Sequence, residues 1–115
     1  MESTDVVQAL TGLAQASRLS LFRALVQAGA EGMQPTALAL RLEIPANTLS
    51  FHLKTLMMAK LITQEKQGRG LVYRVDFAYT NRLLGFLTAK CCGGEACAVQ
   101  PLQQADEHRR NFLQS

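Results

Sequence analysis

The sequence PANTLSFHLKTLMMAKLITQEKQGRGLVYRV occupies residues 45–75 and contains the change of periodicity that decides the fold. Over residues 45–60 the leucines recur at helical spacing, which predicts a helix with one apolar face. From residue 61 onward apolar and polar residues alternate instead, as they do in β-strands. A turn at Gly68-Arg69-Gly70 divides this part into two strands. We therefore expect a helix that is followed directly by a β-hairpin with a basic tip.

Three further helices are predicted before this stretch, over residues 3–14, 17–28 and 35–41. Each has apolar residues at helical spacing. Gly29 is suited to end the second of these helices, and Pro35 is suited to begin the third. A turn of about three or four residues separates the third helix from the one that begins at Pro45, so the two are predicted to form a helix-turn-helix.

One more helix is predicted after the hairpin, over residues 77–90, with Asp76 as its N-cap. The resulting order is helix, helix, helix-turn-helix, basic hairpin, helix. It predicts a mainly α fold with a β-hairpin, the winged helix-turn-helix, as one domain over residues 1–92. Residues 93–115 are mostly polar and rich in glutamine, and we expect them to form a C-terminal segment with a partly flexible tail.

The composition is that of a folded protein with one domain. The chain has 115 residues, of which 48% are hydrophobic and 18% are charged, so global disorder is not expected. No signal peptide is visible, and no apolar run approaches the roughly 20 residues that cross a bilayer. Three cysteines cannot all pair within one chain, which argues against a secreted, disulfide-stapled domain. We therefore expect a cytoplasmic protein with no membrane partner.

The positive charge is concentrated in residues 41–74. These residues include six basic and two acidic side chains, a net charge of +4, whereas the whole chain has a net charge of +3. A localised basic region is typical of a surface that binds phosphates. A solvated helix and hairpin would carry the same charge, so the side chains within the segment must decide between the two interpretations.

The predicted helix at residues 45–60 carries polar residues opposite its leucines. The residues expected to contact DNA are Asn47, Thr48, Ser50, Phe51 and Lys54 of this helix and Arg69 of the hairpin tip. Asparagine can bond to adenine, serine and threonine to either kind of base, and phenylalanine can contact a thymine methyl group. Lys54 suits phosphate, and Arg69 suits a minor groove or the backbone beside it. The alternative to DNA contact is that these are the polar residues of an ordinary surface helix. His52 lies near the leucine side of the helix, and we expect it to be a structural or partly buried residue.

Three stretches together resemble the ArsR/SmtB family of bacterial winged-helix repressors. LTGLAQASRLSLFRALVQAG (10–29) resembles the opening helices of that family, PANTLSFHLKTLMMAKLI (45–62) its recognition helix, and QGRGLVYRV (67–75) its wing. The resemblance covers roughly residues 5–90. It implies a bacterial homodimer that binds a double-stranded operator of two-fold symmetry, with repression relieved when a metal ion or metalloid binds.

The three cysteines of the chain lie together in CCGGEAC, residues 91–97. Three thiols at a polar, glycine-rich helix end favour a functional site over buried packing. Gly93 and Gly94 allow the chain to turn back, so that Cys97 can approach Cys91 and Cys92. Thiolates bind soft ions, and three sulfurs without a neighbouring histidine suit a three-coordinate site better than a structural zinc site.

The family resemblance indicates the ligand of this thiol site. Many members carry a Cys-x-Cys pair in the helix before the recognition helix, but residues 34–42 of this chain contain no cysteine. Other members bind zinc through Asp and His on the last helix, but residues 77–90 of this chain contain no histidine. A subset of arsenic-responsive members places cysteines just after the last helix. The resemblance therefore implies that trivalent arsenic, or antimony, binds Cys91, Cys92 and Cys97 and releases the operator, with no cofactor required.

Two alternatives use the same fold. A thiol-redox-responsive winged-helix regulator would use the same cysteines, although the negative end of a helix dipole disfavours the thiolate that an oxidant needs. A winged-helix module that binds only proteins would have no DNA role. An enzyme is not expected, because the chain has no Cys-x5-Arg loop, no Cys-x-x-Cys pair and no histidine near the cysteines in sequence.

Overall fold

The computed structural model describes residues 1–89. Within them the helices and strands are α1 (Ser3–Leu13), α2 (Ala16–Ala28), a 3-10 turn (Gly29–Glu31), α3 (Pro35–Leu42), α4 (Ala46–Met58), β1 (Ile62–Gln67), β2 (Gly70–Val75) and α5 (Phe77–Thr88). The predicted order of elements and the winged helix-turn-helix fold are therefore confirmed. The chain divides into two compact units, of which the first is Met1–Thr80, so the boundary falls inside α5. No helix within the described range is long and apolar enough to cross a membrane.

The helix ends follow the sequence signals closely. Gly29 ends α2 with a φ of 66°, and its N–H donates to the carbonyls of the last turn. Pro35 occupies the first turn of α3, where its missing N–H costs nothing. The Oδ1 atom of Asp76 accepts the N–H of Tyr79 at 3.0 Å, which confirms the predicted cap of α5. Pro45 is the N-cap of α4 rather than its first helical residue.

The turn between α3 and α4 depends on one residue in the left-handed conformation. Glu43 has a φ of 55°, and the N–H of Ile44 donates to the carbonyl of Ala39 at 3.1 Å. This bond closes the end of α3, and Pro45 then begins the entry into α4. The short turn holds the two helices as one helix-turn-helix.

The leucine face of α4 lies in the core, as its spacing predicts. Leu49, Leu53 and Leu56 are all buried. Their burial removes apolar area from water, which is the main term that stabilises the fold. The largest fully buried side chains of the described residues are Leu21, Leu25, Leu38, Leu49, Leu56 and Leu61. These side chains come from α2, α3, α4 and the residue directly before β1. The inner side of α4 is therefore packed against the other elements of this unit.

The hairpin pairs β1 and β2 in antiparallel register from Ile62 opposite Val75 to Gln67 opposite Gly70. A further bridge joins Met33 to Tyr73 on the other side of β2. The N–H of Met33 donates to the Tyr73 carbonyl at 3.0 Å, and the N–H of Tyr73 donates to the Met33 carbonyl at 2.8 Å. This contact has no signature in the sequence, because a single bridging residue produces no alternation of apolar and polar side chains.

Candidate nucleic-acid interface

The outer face of α4 is exposed over its first two turns. Its exposed residues are Asn47, Thr48, Ser50, Phe51 and Lys54. The aromatic side chain of Phe51 is 62% exposed on this face. The predicted separation of a leucine face from a polar face is therefore confirmed, and all five helix residues singled out from the sequence lie on the side away from the core.

The first turn of α4 offers uncapped backbone amides beside these side chains. Pro45 contributes no side-chain hydrogen bond to the helix start, and its carbonyl accepts the N–H of Leu49 at 2.9 Å. The first N–H groups of a helix have no partner inside the helix, and they carry the positive end of its dipole. Such an end favours a phosphate oxygen close to Asn47 and Thr48.

The basic residues of the segment 41–74 divide into two groups. Arg41 donates from Nη2 to Oε1 of Gln27 at 2.6 Å. Arg74 donates from Nε to the carbonyl of Ala30 at 2.7 Å and pairs through Nη1 with Glu65. The other four, which are exposed and form no hydrogen bond or ion pair among the described residues, are Lys54, Lys60, Lys66 and Arg69. Two of the six basic side chains of this segment are therefore engaged within the described residues, and four are not.

Arg69 lies at the tip of the hairpin, where Gly68 adopts a φ of 61°. The structure thus places Lys54 on the outer face of α4 and Arg69 at the end of the wing. The base of the wing is fixed by the Met33–Tyr73 bridge and by the bonds of Arg74. An arginine at the tip of an anchored hairpin suits contact with a nucleic-acid backbone.

His52 is buried on α4, 8% exposed, and its Nδ1 atom has no hydrogen-bond partner within residues 1–89. Its ring lies 5.9 Å from that of Phe51, at an angle of 58°. Burial, and then the positive charge of Arg18, lowers the pKa of His52 below its usual value of 6.5. The expected burial of His52 near the leucine side of the helix is confirmed, and its side chain does not belong to the exposed face.

The cysteines that carry the predicted thiol site, Cys91, Cys92 and Cys97, lie outside the described residues. Within residues 1–89 no three His, Cys, Asp or Glu side chains come together in a way that could hold a metal ion.

A helix-turn-helix followed by an anchored hairpin and a further helix is the winged helix-turn-helix fold. The comparison with protein families agrees, since a helix-turn-helix domain model matches residues 13–65. A comparison with curated proteins found no match.

Solved structures with this fold resemble the chain over most of its length. One is a homodimeric winged helix-turn-helix DNA-binding domain from Mycobacterium bovis, described as a possible ArsR-family transcriptional regulator. It is 24% identical to this chain and has a TM-score of 0.63, and the match covers 73% of this chain and 75% of that one. An ArsR-like transcriptional regulator from Rhodococcus is 19% identical with a TM-score of 0.63, over 96% and 90% of the two chains. HlyU from Vibrio cholerae is 25% identical with a TM-score of 0.60, over 76% and 97%.

Proposed function

We propose that this protein is a transcriptional repressor that binds double-stranded operator DNA as a homodimer. The observation that carries the proposal is the outer face of α4, where Asn47, Ser50, Phe51 and Lys54 are all exposed. A recognition helix presents the residues of its N-terminal half to the base edges of the major groove. Here that half offers hydrogen-bonding side chains, an exposed aromatic ring and uncapped amides, with Arg69 nearby in sequence on the wing.

The dimeric state is supported by an apolar patch on α1. Val7 is 61% exposed and Leu10 is 41% exposed, and both lie on the outer side of the helix whose inner side buries Val6 and Ala9. Exposed apolar residues at helical spacing favour a partner. A second copy of the chain fits that role, because an operator of two-fold symmetry requires two recognition helices.

The proposed effector is trivalent arsenic, or antimony, bound by Cys91, Cys92 and Cys97. The proposal rests on the sequence, which clusters all three thiols within residues 91–97, and on the family resemblance. Thiolates prefer soft ions of this kind. A coupling of about 1–3 kcal/mol between effector and DNA, or 5–150-fold in affinity, would be enough to release the operator.

DNA binding can be tested by fluorescence anisotropy with duplexes of several sequences at a series of salt concentrations. Lys54→Ala should weaken binding to all duplexes alike and reduce the slope of log K against log salt by about one, as expected for one lost phosphate contact. Asn47→Ala should instead narrow the difference between strong and weak duplexes, by about 1–3 kcal/mol at one position. Arg23→Ala, an exposed arginine of α2, is the control. Binding without salt dependence would contradict the proposal.

The effector can be tested separately with the same anisotropy measurement. Arsenite should release DNA from the reduced wild-type protein, and Cys92→Ser should abolish the release without changing the DNA affinity of the effector-free protein. If peroxide released the DNA and arsenite did not, the thiol-redox regulator would replace the arsenic sensor. Release by arsenite from Cys92→Ser would show that Cys92 is not part of the sensor.

A further inference from the structure

An open groove with a volume of about 250 Å³ lies between α2 and the end of α3. Leu19, Arg23 and Gln27 recur on α2 at a spacing of four residues, so they share one face of that helix. The contribution of α3 is Arg41 and Leu42, its last two residues. The described residues that line the groove include none from α4, so it is separate from the surface proposed to contact DNA.

Two arginines line this groove, and neither has a counter-charge. Arg23 is exposed and forms no hydrogen bond or ion pair within residues 1–89. Arg41 donates from Nη2 to Oε1 of Gln27 at 2.6 Å, but the Gln27 amide is neutral, so this bond leaves the charge of Arg41 uncompensated. Aspartate and glutamate are absent from the described residues that line the groove. A cleft lined by charges of one sign concentrates ions of the opposite sign, so the groove favours an anion.

The hydrogen-bond donors of the groove suit a phosphate group better than a carboxylate. A guanidinium group can form paired hydrogen bonds with either anion. A phosphate monoester carries a charge of about −1.5 to −2 near pH 7 and has three acceptor oxygens, which matches two guanidinium groups, whereas a carboxylate has a single negative charge and two oxygens. Further donors are the hydroxyl of Ser20 and the amide N–H groups of Gln27, whose oxygen accepts from Arg41.

Apolar residues line the groove beside these charges. Ala24 is buried, Leu42 is half-buried, and Leu19 is 45% exposed. We propose that the groove binds a small phosphate monoester, with its phosphate at Arg23 and Arg41 and its organic group against Leu19. The organic group would remove apolar surface of Leu19 from water, which inorganic phosphate cannot do.

The site can be tested without DNA, so that its failure is distinct from a failure of the proposed function. The full-length protein is titrated at pH 7.5 in chloride buffer, separately with phenyl phosphate, inorganic phosphate and dimethyl phosphate, and binding is followed by the amide shifts of a two-dimensional NMR spectrum. Phenyl phosphate should give saturable shifts on α2 and at the end of α3, and it should bind most tightly. Dimethyl phosphate, a diester with a single charge like those of the DNA backbone, should bind most weakly.

Two results of these titrations would overturn the assignment. Inorganic phosphate that binds as tightly as phenyl phosphate would assign the groove to the free ion. Dimethyl phosphate that binds as tightly as phenyl phosphate would assign it to a nucleic-acid backbone.

Three variants, each with one positive charge fewer, test the residues of the site. Arg23→Gln and Arg41→Gln should each weaken phenyl phosphate binding by about tenfold, the lower end for a hydrogen bond to a charged group, because the groove is open to solvent. Lys66→Gln removes the same charge from an exposed position of β1 and should leave the binding unchanged. An equal loss in Lys66→Gln, or shifts that do not saturate, would overturn the proposal in favour of attraction by the net charge. If Arg41→Gln disturbs α3 through the lost bond to Gln27, Arg23→Gln decides alone, since Arg23 bonds to no described residue.

Discussion

His52 is a buried imidazole whose Nδ1 atom has no hydrogen-bond partner in the part of the chain that the structure describes, and it lies near the positive charge of Arg18. Burial is the larger cause of its lowered pKa, and Arg18 is the second. The unfolded chain, in which the pKa is near 6.5, therefore binds a proton at this position more readily than the folded protein does. The free energy of unfolding should consequently be unaffected by His52 above about pH 6.5 and decrease as the pH falls below that value.

We predict that His52→Leu reduces this loss of stability in acid. The measurement is the urea midpoint at about pH 7.5 and at about pH 5, since only histidine among unperturbed side chains titrates across that interval. His108→Gln is the matched control, because His108 is the second of the two histidines in the chain. A His52→Leu protein that loses as much stability in acid as the wild type would assign the pH dependence to other groups.

At the scale of elements, the wing is fixed to the segment between α2 and α3. Gly32, next to the bridging Met33, has a φ of 68° and lies against β2. A Cβ atom added to Gly32 would overlap the carbonyl oxygen of Tyr73 and lie 2.7 Å from Cγ of Arg74. Gly32 therefore allows the close approach of two backbones that anchors the wing.

We predict that Gly32→Ala destabilises the protein by roughly 1–3 kcal/mol, because it combines a left-handed backbone with a steric overlap. Gly68→Ala separates the two causes, since Gly68 has a φ of 61° but, apart from its chain neighbours, no described residue has an atom within 4 Å of an added Cβ. The loss of stability in Gly68→Ala should be that of the left-handed backbone conformation alone. Both values can be taken from urea denaturation. Equal losses of stability in Gly32→Ala and Gly68→Ala would mean that the steric overlap with β2 does not contribute to the destabilisation.

The two arginines of the hairpin have different environments, and their variants should therefore behave differently. Arg74 is half-buried and bonded to Ala30 and Glu65, whereas Arg69 is exposed at the tip. Arg74→Gln should lower the urea midpoint. Arg69→Gln should leave the urea midpoint unchanged, but it should weaken DNA binding and reduce the slope of log K against log salt by about one. An Arg69→Gln variant with unchanged affinity would remove the wing tip from the proposed interface.

The elements of the fold could be predicted from the sequence because each has a local signal. The leucines of α4 recur at helical spacing, and Gly29, Pro35 and Asp76 mark helix ends by their own backbone or side-chain chemistry. The outer face of α4 followed from the same periodicity. The Met33–Tyr73 bridge could not be predicted, because its two residues are distant in sequence. Met33 is also a single bridging residue outside any strand, so no pattern of several residues marks it.

The electrostatics of the site were predicted only in part, for a similar reason. A count of charges treats all basic residues of the segment 41–74 as equal. In the folded protein Arg41 and Arg74 bond to Gln27, Ala30 and Glu65, which lie 9 to 44 residues away in the chain. Such long-range partners have no signature in the local sequence, so the identity of the four available cations needed the structure.

At the scale of the whole molecule, the proposed function requires two copies of the chain. One recognition helix reads one half-site, and the second half-site lies about one turn of DNA away. The exposed Val7 and Leu10 of α1 would lose contact with water on association, which is favourable at roughly 25 cal/mol per Å² of apolar surface. A dimer that uses this patch would bind an operator far more tightly than a monomer, because its second half-site contact is intramolecular.

We predict that the double variant Val7→Glu, Leu10→Glu is monomeric but folded. Two carboxylates on a patch buried by association would have to lose their hydration, which strongly disfavours the dimer, whereas in the monomer they remain in water. Sedimentation equilibrium should give the mass of one chain for the variant and of two for the wild type, and circular dichroism should show equal helix content. Leu40→Glu, which replaces an 80% exposed leucine of α3, is the control and should remain dimeric. If the double variant were monomeric yet bound a two-fold symmetric duplex as tightly as the wild type, the dimer would not be the DNA-binding form.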